Sequence, residues 1–188
     1  MKIYLGDFKI DSIFGLTVDG ANFQTREQRK NPSAKAYSHN FNGPGVGYEI
    51  AVAIYEDRVV WINGAVAIYE DRVVWINGPF DPSTHDLTIF RSEDGLEANM
   101  PDRMRGIGDS AYKAGDAMTV HREGHSKEMT NFINRVRARH ENFNARMKNF
   151  KILSECFRSN RVKHKTAFEA ICILCQYDME NGHPLMEA

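Results

Sequence analysis

The chain has little of what membrane, secreted and disulfide-rich proteins contain. It has no run of about 18 apolar residues, the length that a membrane-spanning helix needs. Its three cysteines are an odd number without the spacing of a disulfide framework, which favours free thiols in a reducing compartment. Asp7 and Asp11 interrupt the N-terminal segment, which therefore does not match a secretory signal. These absences favour a protein that is not secreted.

The chain also lacks a net positive charge, since its formal charge is −1 over 188 residues. That value by itself argues against a nucleic-acid partner. The positive charge is concentrated, however: Arg135 to Lys165 contains ten Lys or Arg and two acids, so the rest of the chain sums to −9. Such asymmetry is typical of a face that binds a polyanion. A solvated basic helix is the alternative.

Two short predicted strands carry a carboxylate within one soluble domain that spans residues 1–188. Asp19 lies in the apolar segment LTVDGANF of a strand predicted for Ile13–Phe23. Asp109 ends the strand of MRGIGDSAYKAG, Met104–Gly115. An ionised carboxylate in an apolar strand is costly unless it is paired, hydrogen-bonded or bound to a metal. The alternative is a simple turn residue near a strand end.

A perfect repeat follows the first strand. The sequence AVAIYEDRVVWING occurs at Ala51–Gly64 and again at Ala65–Gly78, and each copy predicts a β-hairpin. Repeat proteins use longer periods and at least three diverged copies, so a recent duplication or an assembly error explains the pattern better. Since Gly45–Ile54 continues without interruption, we expect the first copy to pair beside the Asp19 strand, which should be central in a mixed sheet.

Two helices are predicted in the C-terminal half, and a short one before it. Ser126–Phe157 predicts one long helix, because seven apolar residues and a histidine recur at helical spacing along one stripe. Glu141 lies about 140° from the centre of that stripe, where a surface glutamate is the favoured interpretation. A second helix is predicted for Thr166–Tyr177. The segment STHD, ending at Asp86, has the form of a capping box that opens a helix through Phe90.

Three carboxylates could converge from these elements: Asp19, Asp109 and Glu141. Carboxylate oxygens are the ligands of hard divalent cations. Two Mg²⁺ ions about 4 Å apart activate water and stabilise the leaving oxygen of a phosphodiester. Two acids on strands and one on a late helix are only a moderately specific pattern.

Two other metal-ligand pairs are weaker candidates. Cys172 and Cys175 have the spacing of half a zinc site, but they lie in an apolar helix without a second cysteine pair, which favours a core position. His121 and His125 have i,i+4 spacing, but a glycine intervenes and no third ligand is evident.

Six segments follow the order of a known family across nearly the whole chain. They are LTVDGANF, KAYSHNFNGPGVGYEIAVAI, VVWINGPFDPSTHDLTIFR, IGDSAY, RARHENFNARMKNFKIL and FRSNRVKHKTAFEAICILCQYDMENGHPL. Together they resemble a DDE-superfamily endonuclease, of the transposase-derived group related to PIF/Harbinger elements. The resemblance implies an α/β, ribonuclease-H-like fold in which helices flank a mixed sheet.

The resemblance also implies a site. Asp19 in the DG pair, Asp109 in GDSAY and Glu141 in RARHENFN match the three catalytic acids, which would bind two Mg²⁺ or Mn²⁺ ions and cleave DNA phosphodiesters. Asp86 matches a further family position, for which we expect a structural role at the start of a helix.

DNA is the partner that the resemblance implies, with a nuclear or cytoplasmic location. On the long helix, four cations are expected to neutralise DNA phosphates: Arg135, Arg137, Arg139 and Lys148. A separate DNA-binding subunit is a further implied partner.

Two departures from the family pattern favour an alternative function. Family members usually carry a helical DNA-binding region ahead of the first acid, whereas only 18 residues precede Asp19 here, so we expect that region to be absent. The repeat lengthens the interval between Asp19 and Asp109 to 90 residues, against 76 with one copy removed. The alternative is a catalytically inactive transposon remnant or a DNA-binding scaffold.

Overall fold

The computed structural model describes residues 14–27, 33–54, 75–100, 104–113, 117–183 and 185. The strands and helices, in chain order, are β1 (Phe14–Gln24), β2 (Tyr37–Ser38), β3 (Gly43–Ala53), β4 (Trp75–Phe80), α1 (Asp86–Phe90), α2 (Leu96–Asn99), β5 (Arg105–Ile107), β6 (Met118–Thr119), α3 (Lys127–Lys148), α4 (Lys151–Ser154) and α5 (Arg161–Glu180). None of these helices is both long and apolar enough to cross a membrane.

The strands form one mixed sheet in the order β2-β3-β1-β5-β6, with β4 also paired to β3. β1 is antiparallel to β3 and parallel to β5, and β5 is parallel to β6. The prediction of an α/β protein with the Asp19 strand at the centre of a mixed sheet is therefore confirmed. This arrangement is compatible with a ribonuclease-H-like fold.

Both faces of β1 are covered, which explains why its sequence is a nearly continuous apolar run. Leu16 and Val18 point into a core cluster beneath α1 and α2, whereas Ala21 and Phe23 point into a second cluster beneath α3 and α5. Because side chains alternate along a strand, Asp19 faces the side of α3, and the next residue faces the side of α1. α1 and α3 thus approach the same point of β1 from opposite faces of the sheet.

The single long helix predicted for Ser126–Phe157 was wrong at its C-terminal end. α3 ends at Lys148, and the extended backbone of Phe150 starts the short α4. Phe157 then bonds to the end of β1, where its N–H donates to the carbonyl of Gln24 at 3.0 Å. A straight helix would carry Phe157 away from the sheet, so this contact requires a bend.

The second helix is longer than predicted. α5 begins after the N-cap Asn160 and runs to Glu180, whereas the helix was predicted only for Thr166–Tyr177. The side chain of Asn160 accepts a hydrogen bond from the N–H of Lys163 at 2.9 Å and satisfies one of the first free amides of the helix. Cys172 and Cys175 are buried in the core, as expected.

The two repeat copies contribute to different strands. Ala51–Ala53 of the first copy completes β3, as expected, and Trp75–Gly78 of the second copy forms most of β4. Ala51 pairs with Trp75 and Ile50 with Ile76. The duplicated hairpin itself, predicted within 51–78, falls mostly on residues 55–74, outside the described residues.

Because each strand takes its residues from a different copy, one copy of the repeat can be deleted without losing either strand. Because the copies are identical, deleting residues 57–70 restores a single AVAIYEDRVVWING and keeps every described residue. The connection between β3 and β4 shortens from 21 to seven residues. The lower loop-closure entropy should raise the free energy of unfolding by about 1 kcal/mol, or Tm by about 2–4 °C. Thermal unfolding measures this change.

A matched variant replaces residues 57–70 with fourteen Gly and Ser residues and keeps the loop long. It should not show the gain in Tm. A lower Tm for the deletion than for the parent chain would contradict the prediction, since the removed residues would then contribute stabilising contacts.

Candidate active site

Two of the three predicted acids lie side by side. Thr17 of β1 is in register with Ile107 of β5, and this pairing is the last one between the two strands in the described part of the chain. Two residues further along come Asp19 and Asp109. Since parallel strands advance by the same distance per residue, the two carboxylates meet where β5 ends and the edge of β1 opens.

Asp19 is held in a defined orientation. Its Oδ1 accepts a hydrogen bond from the N–H of Gly20 at 2.9 Å, and its Oδ2 accepts one from Nδ2 of Asn144 at 3.1 Å. Burial and the neighbouring Asp109 raise the pKa of Asp19 to about 6, with a smaller contribution from Asp86. Asp19 is therefore ionised at neutral pH at an electrostatic cost that a nearby cation would offset.

Asp109 caps a short 3₁₀ turn, Ser110–Tyr112. Its Oδ1 accepts a hydrogen bond from the N–H of Ala111 at 2.8 Å. This contact anchors the carboxylate immediately after the end of β5. The GDSAY motif thus orients an acid at the strand end and places the aromatic ring of Tyr112 in the core beneath it.

The capping box predicted to end at Asp86 is not formed. α1 begins after His85, whose Nδ1 accepts a hydrogen bond from the N–H of Leu87 at 3.3 Å. The N–H of Ser83, which a capping box would direct to Asp86, donates instead to the carbonyl of Lys35 at 3.3 Å. Asp86 does start the helix, as expected, but its carboxylate is turned towards β1.

Asp86 lies against the residue that follows Asp19. Its Oδ1 is 2.6 Å from the point where a Cβ on Gly20 would be. Burial and the charge of Asp109 raise the pKa of Asp86. Three aspartates from β1, α1 and the turn after β5 therefore surround the open edge of β1.

A buried carboxyl group supports this cluster from the side of α1. Glu49 is in register with Gly20, is 1% exposed, and accepts a hydrogen bond from Nε1 of Trp75 at 2.9 Å. Burial raises the pKa of Glu49 to about 8. Hydrogen bonds from Trp75 and from the hydroxyl of Tyr112 oppose this rise in the pKa without cancelling it. Glu49 is thus mostly protonated at neutral pH.

Glu141, the third predicted acid, lies on the side of α3 that contacts Asp19. Asn144 bonds to Asp19, and Arg137 lowers the pKa of Asp19. Glu141 lies between them, at i+4 from Arg137 and i−3 from Asn144, so the three share one face, with Lys148 one turn further on. The side chain of Glu141 is exposed on this face.

The four predicted DNA-binding cations divide between two sides of α3. At 100° per residue, Arg137 and Lys148 lie within about 40° of Glu141, whereas Arg135 and Arg139 lie about 120° and 160° away. The guanidinium of Arg139 donates to the carbonyl of Ile54 at the end of β3. Arg139 therefore has a role in holding the sheet to α3.

The donors suit a hard divalent cation, although they do not form a complete cage. In the ranges that the structure describes, no three His, Cys, Asp or Glu side chains are close enough to hold a metal ion by themselves. Mg²⁺ is usually bound by one or two carboxylates together with waters and substrate phosphates. The crowded pair Asp19 and Asp109 fits that mode, since like charges near each other favour a cation between them.

Neither of the weaker metal-ligand pairs gains support. Cys172 is fully buried and its thiol contacts the sulfur of Met147 at 3.5 Å. The rings of His121 and His125 are 6.2 Å apart at their centroids. The chemistry of the described residues is therefore concentrated at the open edge of β1.

Sequence reasoning missed three residues of the site: Asn144, Glu49 and the inward-facing carboxylate of Asp86. The sequence could have identified Glu49, because it is the one charged residue in the apolar run GVGYEIAVAI. No sequence pattern identifies Asn144, since its role depends on the side of α3 that packs on β1.

The raised pKa of Glu49 predicts a pH-dependent stability. Below about pH 4.5 the carboxyl of Glu49 is protonated in both the folded and the unfolded chain. Between about pH 4.5 and 8 it is protonated only in the folded chain. The stability that this proton contributes is therefore lost progressively as pH rises from about 4.5 to about 8, by up to about 1.4 kcal/mol per pH unit. Glu49→Gln keeps an acceptor for Trp75, so its stability relative to the parent chain should rise from pH 5 to about pH 8 and stay level above that.

Denaturant unfolding at pH 5, 7 and 9 measures this difference. Glu93→Gln, at an exposed glutamate, is the matched control and should unfold like the parent chain at each pH. A stability difference between Glu49→Gln and the parent that stays constant across the range would contradict a raised pKa.

Comparison with known proteins agrees with this geometry. Residues 64–176, more than half of the chain, match a family described as DDE superfamily endonuclease. The matched region includes Asp109 and Glu141, and Asp19 lies before it. No curated protein and no solved structure matches the chain. On the strength of the family match, the chain belongs to the DDE superfamily endonucleases.

Proposed function

We propose that the protein cleaves DNA phosphodiester bonds with a divalent cation held by Asp19 and Asp109 and completed by Glu141. The observation that carries this proposal is the register of β1 and β5, which brings Asp19 and Asp109 together at an open strand edge. The raised pKa of Asp19 supports it, because burial beside a second carboxylate has a cost that a bound cation offsets. Mg²⁺ or Mn²⁺ fits the oxygen donors.

Each side chain has a defined task in this proposal. The bound cation supplies charge for activating water and stabilising the leaving oxygen. Asn144 holds one oxygen of Asp19 and leaves the carboxylate facing α3. The Ala111 amide holds one oxygen of Asp109. Glu141, exposed on the same face of α3, would complete the set of oxygen donors to the cation.

DNA binding is assigned to one side of α3. Arg137 and Lys148 share the face of Glu141, so their charges would lie along the DNA backbone next to the scissile phosphate. Arg135 and Arg139, the other two predicted cations, lie on the other flank. We further propose, from family membership, that the protein works in the nucleus, and that a separate subunit contributes target recognition.

Loss of either strand acid should abolish cleavage. Asp19→Asn and Asp109→Asn should each lower the rate of Mg²⁺- or Mn²⁺-dependent plasmid nicking by more than about 100-fold, the scale on which loss of one charge-stabilising group lowers kcat. Glu141→Gln should have a comparable effect. Glu93→Gln, on an exposed turn, is the control and should nick like the parent chain.

Nicking by Asp109→Asn at the parental rate would overturn the proposal. Tight, salt-dependent DNA binding by the parent chain without cleavage in either metal would instead support the DNA-binding scaffold.

The two flanks of α3 should differ in DNA binding. Lys148→Gln should weaken DNA binding and reduce the slope of log K against log salt by about 0.9, the loss of one phosphate contact. Arg135→Gln removes the same charge from the same helix on the opposite flank and should leave the slope unchanged. Fluorescence anisotropy with duplex DNA and EDTA measures both. Equal effects of the two variants would contradict the assignment.

A further inference from the structure

We propose that the protein forms a homodimer in which α5 packs antiparallel against α5 of a second copy. This inference goes beyond the proposed function and does not depend on it, since it concerns the side of α5 that is turned away from the core. It is carried by the distribution of apolar and charged side chains along that side.

α5 carries apolar side chains on two opposite sides. Its inner side, which includes Phe168 and Cys175, is buried in the core cluster beneath the sheet. On the opposite side, Val162, Leu174 and Tyr177 are 74%, 52% and 65% exposed. They are three of the five large hydrophobic residues that are exposed in the described part of the chain. Exposed apolar side chains concentrated on one helix are typical of a surface that another protein covers.

The exposed side of α5 has a pattern that repeats every seven residues. Its positions are spaced alternately by three and four residues, and we call them the outer face: Lys163, Thr166, Ala170, Ile173, Tyr177 and Glu180. At 100° per residue, all six lie within about 60° of one line along the helix. This is the spacing of the a and d positions of a coiled coil, so the outer face has the form of a seam for a second helix.

The two charged residues of the outer face lie at opposite ends of α5. Lys163 lies in the first turn, and Glu180 is the last residue. A helix dipole favours acids at the N-terminus and bases at the C-terminus, so both charges are unfavourably placed within their own helix. In an antiparallel pair, Lys163 of each copy lies beside the C-terminus of the other helix and meets its Glu180. A parallel pair would place like charges opposite each other, so charge complementarity favours a second copy in the antiparallel orientation.

The same register matches the apolar positions of the outer face. With Lys163 opposite Glu180, Thr166 lies opposite Tyr177 and Ala170 lies opposite Ile173 of the other copy. Each apolar level thus places a large side chain against a small one, which allows two helices to pack closely. Every contact occurs twice about a two-fold axis, so the interface is complete with two copies.

The expected dimer is weak. The contact runs from residue 163 to residue 180, a length of about 26 Å at about 1.5 Å per residue. One helix pair of this length buries less surface than a standard interface, so we expect a dissociation constant on the order of 10 μM. Sedimentation equilibrium of the full chain, without DNA or metal, measures it. A chain that stays monomeric up to about 100 μM would overturn the proposal.

Charge reversal tests the pairing of Lys163 with Glu180. Lys163→Glu and Glu180→Lys should each weaken dimerisation by about 10-fold, since each places two like-charge pairs in the interface. The variant that carries both changes exchanges the two charges and should return to within about 3-fold of the parental dissociation constant. An equimolar mixture of the two single variants should also dimerise, because every pair is then opposite in charge. Single variants that dimerise like the parent chain would contradict the antiparallel pairing.

Leu174→Glu tests the apolar part of the interface. Because this side chain is 52% exposed, the change should keep Tm within about 2 °C of the parent chain and weaken dimerisation by more than about 10-fold. Lys127→Glu, at an exposed residue that starts α3, makes the same charge change as Lys163→Glu and should leave dimerisation unchanged. Parental dimerisation of Leu174→Glu would overturn the proposal.

This variant also covers a risk of the charge reversal. Glu180 accepts a hydrogen bond from Nε2 of Gln176 at 2.6 Å, so Glu180→Lys removes a contact within the helix as well. Leu174→Glu leaves that contact in place, and the proposal therefore stays testable if Glu180→Lys does not fold. None of these measurements involves cleavage, so failure of the dimer and failure of the proposed function are distinguishable.

Discussion

The site depends on the crowding of carboxylates at one strand edge. β5 stops at Ile107, so Asp19 and Asp109 meet beyond the last pairing of β1 with β5 among the described residues. Burial and like charge together raise the pKa of Asp19 to about 6. Folding thus maintains an arrangement that is electrostatically unfavourable at neutral pH, and a protein tolerates such a cost where the charges serve a ligand.

The rest of the fold holds the crowded acids in place. α3 contributes Asn144 to Asp19, and the packing of Phe90 on Tyr112 fixes α1 to the turn of Asp109. Glu49 on β3 lies beneath these groups with a proton at neutral pH. Its bond to Trp75 ties the site to the second repeat copy, so strand pairing across the repeat and the geometry of the site are connected.

Local patterns predicted the elements better than their ends or their contacts. The apolar run around Asp19 predicted β1, because burial on both faces requires it. The helical stripe predicted α3 but not its end at Lys148, since Phe157 bends the chain back to β1 through a contact distant in sequence. The capping box failed for the same reason: the N–H of Ser83 bonds to Lys35, and Asp86 is left to face Gly20.

The sequence by itself determined the family, the central strand and the two acids that lie within β1 and just after β5, because these follow from local motifs and from period-two burial. Only the tertiary structure decided which groups surround those acids. The side of α3 that packs on β1 decides that Asn144 contacts Asp19 and that Glu141 lies on the same face of the helix. The volume left at Gly20 admits Asp86. Such choices depend on contacts between segments distant in the chain, and no spacing within one segment specifies them.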